Sequence, residues 1–152
     1  MKAVVAALIA LSAAPLGGAR AQSWTPYRIP ESGTSVDIPS SVFTEVAGQP
    51  DGYGRQFRTS DGRADLTVQA VPNQGLPPAE FLARKNPPSG IVYRRIAPNF
   101  FVVSSIKRDK IWYDRCNFSR RYVHCVLINY PAVEKRQWDP LVTRISHSLR
   151  AD

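Results

Sequence analysis

Histidine and cysteine are scarce in this chain: of 152 residues only His124, His147, Cys116 and Cys125 belong to these types. Two histidines without ligand-type spacing to acids or cysteines make a poor zinc site, and no oxygen-rich calcium loop is present. A Gly-x-Ser-x-Gly elbow, a phosphate-cradling glycine loop and a His-Glu-x-x-His helix are all missing. Gly52-Tyr53-Gly54 has too few glycines and no following helix, and reads as the entry to a strand. No catalytic residue, metal ligand or cofactor is therefore assigned. No nucleic-acid-binding motif occurs. No apolar run after residue 21 is long enough to cross a membrane as a helix, which takes about 20 residues.

The amino terminus does carry a pattern. Lys2 is a short positive start, the stretch 4–16 is apolar apart from Ser12, and Ala19-Arg20-Ala21 places small residues where a signal peptidase accepts them. Residues 1–21 thus read as a cleavable signal peptide, cut between Ala21 and Gln22, with 22–152 as one domain in the periplasm or outside the cell. The apolar stretch is too short for a transmembrane anchor, and no cysteine near the cut could take a lipid.

Charge is lopsided, with 20 Lys and Arg against 12 Asp and Glu. Taking Lys2 and Arg20 away with the leader leaves 18 against 12, a net +6. The cations come in short groups: Arg94-Arg95, Lys107-Arg108 with Lys110, and Arg120-Arg121, along with Lys135-Arg136. Most fall at expected turns or strand ends, where solvated charge is ordinary. The sharper reading is attraction to an anionic partner, peripheral contact with an anionic surface included. Export removes the usual nucleic-acid partner.

Extended segments dominate. Residues 24–29 and 35–38 read as strands, and Thr59-Ser60-Asp61-Gly62-Arg63 as a tight hairpin turn, with Asp-Gly supplying the positive-φ position. Ala64, Leu66, Val68 and Ala70 then alternate with Asp65, Thr67 and Gln69, predicting one buried and one wet face. A short helix is predicted over 78–85 with Phe81 and Leu82 inward. Four strands follow, over 91–96, 100–107, 110–117 and 122–130, joined so closely that they form an antiparallel meander. A last helix is predicted from an Asp139 cap and Pro140 at its first position, with Trp138, Leu141, Val142, Ile145 and Leu149 at helical spacing. Both faces of the meander are apolar: Val102, Ile106, Ile111, Tyr113, Val126 and Ile128 on one, Phe101, Val103, Trp112, Cys116, Val123 and Leu127 on the other. That predicts an α+β fold whose antiparallel sheet is covered on both faces.

In an oxidising compartment, two cysteines with none left over favour pairing. A two-residue turn at Arg120-Arg121 sets Cys116 opposite Cys125 as a non-hydrogen-bonded pair, at a spacing a disulfide bridges. Arg-Arg is a poor primed turn, so a longer loop with a bulge is the competing register. The same register sets His124 opposite Asn117, on the face away from both cysteines, and leaves His147 on the polar side of the last helix. Trp24, Trp112, Trp138 and the tyrosines fall in elements that need core residues.

The run Ile38-Pro39 to Phe43, Phe57-x-Thr59-Ser60-Asp61-Gly62-Arg63-Ala64-x-Leu66-x-Val68, Tyr113-Asp114-Arg115 and Asn129-Tyr130-Pro131 resembles a group of small exported bacterial proteins with a PsbP-like α/β/α sandwich. The resemblance implies accessory and partner-binding roles rather than a shared active site, and brings no catalytic residues. The expected function is a non-enzymatic module that binds a partner protein or small ligand of the cell envelope. An unrecognised envelope hydrolase is the alternative.

Overall fold

The structure, a computed structural model, describes residues 22–85, 87 and 89–151. The expected leader, residues 1–21 with Ala21, lies outside the described residues. The elements run β1 (Trp24–Ile29), β2 (Thr34–Pro39), β3 (Phe43–Gly48), β4 (Tyr53–Thr59), β5 (Asp65–Pro72), α1 (Pro78–Lys85), β6 (Ile91–Ala97), β7 (Phe100–Lys107), β8 (Lys110–Phe118), β9 (Tyr122–Pro131), α2 (Lys135–Ser148) and β10 (Arg150–Ala151). The class is α+β, and every strand pairing is antiparallel.

Seven strands form the main sheet in the order β3-β4-β5-β9-β8-β7-β6, and β1, β2 and β10 form a small second sheet. The close connections explain the pairing of β6 to β9 in sequence order. β5 instead crosses α1 and three strands to pair with β9, from Asp65 opposite Asn129 to Pro72 opposite Tyr122. At the β7–β8 turn, Arg108 and Asp109 both take positive φ, +49° and +61°, the backbone hand that a tight hairpin demands. Gly54, at φ +131°, lies so close to β5 that a Cβ would sit 2.0 Å from the Val68 carbonyl oxygen. Glycine is what lets β4 approach there.

One face of the main sheet is covered over its centre. Leu66, Val68 and Ala70 of β5, Ile111 of β8 and Val126 and Ile128 of β9 pack against Val36 and Ile38 of β2 and against Trp138, Val142, Ile145 and Leu149 of α2 and its end. The opposite face is covered only in part. There α1 seats Leu82, with Phe81 half-buried, over Phe101, Val103, Cys116, Val123 and Cys125, and Trp112 is left 39% exposed.

Three expectations need correcting. α2 begins at Lys135, behind a 3-10 turn at Ala132–Glu134, so Pro140 lies inside the helix and Asp139 does not cap it. Asp139 instead takes the Lys135 ammonium at 2.7 Å one turn earlier. Stacking of Trp138 on Tyr130, centroids 5.3 Å apart, fixes that added turn against the sheet. Asp65, expected on a wet face, is buried and accepts a 2.7 Å hydrogen bond from Arg58 Nε. Ile106, expected on a covered face, is exposed because the second sheet and α2 do not reach the β7–β8 turn.

Candidate functional site

The incomplete cover leaves a cleft of about 360 Å³ over β4, β5, β9, β8 and β7, walled on one side by Lys85 and Pro87 at the end of α1. Strand register explains its lining. Val103, Asp114, Leu127, Thr67 and Gln56 lie opposite one another in one row across the sheet, and Ser105, Trp112 and Asn129 in the next. Side chains in such rows project from the same face.

Asp114 is the unusual member. Its carboxylate is 13% exposed, with the Lys85 ammonium 3.6 Å away. Burial pushes the Asp114 carboxyl up to about 6, and Lys85 only partly opposes that. Near neutral pH the carboxyl thus carries a charge that its surroundings disfavour, a cost that functional sites often retain. Beside it the Ser105 hydroxyl is buried without a hydrogen-bond partner. The cleft therefore combines one pair of opposite charges, an unsatisfied hydroxyl, two side-chain amides and an accessible indole, the mix of apolar wall and few polar groups that small-molecule sites use.

Cys116 and Cys125 face each other across β8–β9 and form a disulfide with Cα atoms 4.2 Å apart. Both are buried, and Cys116 Sγ lies 3.5 Å from Asp114 Oδ1. Ligand atoms of Asp114, Cys116 and Cys125 come within 4.8 Å of one another, but sulfurs tied in a disulfide offer no thiolate to a metal.

His124 lies opposite Asn117, as the register predicts, and is buried at the seam between the two sheets. Its Nδ1 lies 2.7 Å from the Thr34 hydroxyl of β2, and Nε2 2.9 Å from the Ser119 hydroxyl. Ser119 donates to the Tyr122 carbonyl at 2.9 Å, so it accepts from His124, which assigns the imidazole proton to Nε2. Nδ1 then accepts from Thr34, whose oxygen is 2.6 Å from the Ser32 hydroxyl. Burial lowers the His124 pKa. The neighbour at Nδ1 is a hydroxyl where a hydrolytic triad has a carboxylate. His147 is exposed on α2.

The basic residues do not gather in one place. Lys107, Arg108 and Lys110 line a shallow concavity with Trp112 at the β7–β8 turn. Arg120 and Arg121 stand past the other end of the nine-residue β8, about 30 Å away at strand rise. Arg94 and Arg95 are exposed on the outermost strand, β6. Successive turns of a meander alternate ends, so groups close in sequence separate in space. The cleft residues Lys85, Ser105, Asp114 and Asn129 carry no sequence signature.

No protein-family model matches this sequence, and no curated protein matches it. Among solved structures, the chain is similar to the solution structure of cyanobacterial PsbP (CyanoP) from Synechocystis sp. PCC 6803, with a TM-score of 0.64 at 12% identity, over 90% of this chain and 96% of that one. At that identity the likeness establishes the architecture: the chain has a PsbP-like fold.

Proposed function

We propose that this chain is an exported, non-enzymatic binding module of the cell envelope that holds a small, uncharged polar ligand in the cleft beside Asp114. The carrying observation is the cleft itself, where the side-chain amides of Gln56 and Asn129 offer hydrogen bonds next to the exposed indole of Trp112. Lys85 and Asp114 largely cancel each other's charge, which favours a ligand without net charge. Export is supported by the leader pattern in residues 1–21 and by the disulfide. No helix among the described residues is long and apolar enough to cross a membrane.

A second reading, peripheral contact with anionic headgroups, is favoured by Lys107, Arg108 and Lys110 beside exposed Ile106 and Trp112. Its mark is binding to anionic vesicles that salt screens away. The hydrolase alternative would rest on Ser119 and His124, yet the Ser119 hydroxyl is committed to the Tyr122 carbonyl.

The test is affinity capture of the tagged, exported protein from envelope extract, with mass spectrometry of retained proteins and small molecules, beside a Trp112→Ala variant. A neutral small molecule retained by the wild type and lost from the variant supports the cleft. Equal retention by both, or none by either, removes it. Turnover of envelope esters or glycosides by the purified protein would restore the hydrolase.

A further inference from the structure

The main sheet has two edges, and they differ. Edge strand β3 carries Glu45 and has register breaks on both sides of its Glu45–Val46 pairing with β4, the kind of interruption that blunts an edge. The β6 edge has a break only near its start, between Ile91 and Tyr93, and then pairs without interruption with β7 from Tyr93 to Ala97.

β6 is also bare. Every residue from Ile91 to Ile96 is exposed, with Ile91 at 45%, Val92 at 62%, Tyr93 at 51% and Ile96 at 41%. Such a strand presents apolar side chains on both faces and a row of backbone N–H and C=O groups to solvent, the arrangement that adds a further strand. Its charge is one-sided: the hairpin 91–107 contains Arg94, Arg95 and Lys107 and no acidic residue. Arg95 and Arg115 of β8 both lie over the Phe100 ring, 5.3 Å from its centroid, which gathers positive charge along this edge.

We propose that β6 is a docking edge for an extended, acidic strand of a partner protein, which lengthens the main sheet by one strand. Backbone hydrogen bonds supply the pairing. Two neighbouring acidic side chains of that strand meet Arg94 on one face and Arg95 on the other, because neighbouring residues of a strand point to opposite faces. A second copy of β6 is disfavoured, since it would bring two Arg94-Arg95 pairs together, and like charges across paired strands destabilise.

The probe is a short, end-blocked peptide with a Glu-Glu pair flanked by valines, compared with its Lys-Lys counterpart, added to the protein without its leader and with the disulfide intact. Binding is read by fluorescence anisotropy and by hydrogen exchange of backbone amides. The glutamate peptide is expected to bind saturably, to slow exchange in β6, and to bind about tenfold more weakly, a loss of about 1.4 kcal/mol, to an Arg94→Glu, Arg95→Glu variant. Both substituted residues are exposed, so the variant should melt with the wild type. Four results overturn the proposal: no saturable binding of the glutamate peptide, binding without protection of β6, equal binding of the lysine peptide, or self-association of the free protein that shields β6, through either its β6 or its β3 edge.

Discussion

Removing the charge of Asp114 should make the protein more stable at neutral pH. The carboxyl is raised from an ordinary 3.8 to about 6 by burial. That gap of about two pH units corresponds to about 3 kcal/mol. The sign follows from proton binding. A raised carboxyl binds its proton more tightly in the folded chain, so its contribution is full below about 3.8 and is lost as pH rises through about 6. An Asp114→Asn variant keeps the shape of the side chain and carries no charge there, while the Lys85 contact at 3.6 Å is given up. The net gain at pH 7.5 is therefore about 1–3 kcal/mol, and it should vanish toward pH 4. The assay is urea denaturation of both proteins from pH 4 to 8 with the disulfide intact, compared at equal m-values. Taking the difference between the two proteins removes pH effects from groups elsewhere, such as His124 on the opposite face. A variant no more stable than wild type at pH 7.5, or a difference that does not change with pH, would refute the account of Asp114 as a strained buried charge.

His124→Leu should cost about 1–3 kcal/mol, because it takes the Nδ1 partner from the buried Thr34 hydroxyl; chemical denaturation at pH 7.5 measures it. Because the His124 pKa is lowered by burial, the part of the stability that rests on His124 should fall as pH drops below about 6.5, as the unfolded chain takes up the proton first. The stability difference between wild type and His124→Leu should therefore shrink in that range, whatever Asp114 adds to both. Replacing Cys116 and Cys125 together by alanine should remove about 2–3 kcal/mol, the value for so short a loop, seen as a lower denaturation midpoint that reductant no longer changes. Amino-terminal sequencing of protein exported by a bacterial host should begin at Gln22; a chain that still begins at Met1 would remove the signal peptide.

The meander was legible because its signals are local. Short gaps force antiparallel neighbours, and two-residue spacing at Arg108-Asp109 dictates that Ile106 faces Ile111 and Ser104 faces Tyr113, as they do. The Cys116–Cys125 pair followed from the same arithmetic even though Arg120 and Arg121 do not take positive φ. Legibility failed where distant segments decide. β3 and β10 left no clear pattern: one pairs with bulges and the other spans two residues. The start of α2 was misplaced because Asp139-Pro140 is a good local start signal, overridden by the packing of Trp138 on Tyr130 and Phe43.

Composition and pattern by themselves determined an α+β chain with a strand-rich second half, a hairpin that brings two cysteines together, and an excess of cations, because turns, alternation and strand register act over a few residues. Tertiary structure alone decided which face of the main sheet is closed, that β6 is left as a bare edge, and that Asp114, Lys85, Ser105 and Trp112 share one cleft. Those outcomes depend on where α1 comes to rest and on which strand β5 finds, contacts made between residues far apart in sequence. For the same reason Asp114 reads in sequence as an ordinary carboxylate between a tyrosine and an arginine, and only burial beneath the end of α1 shifts its proton affinity.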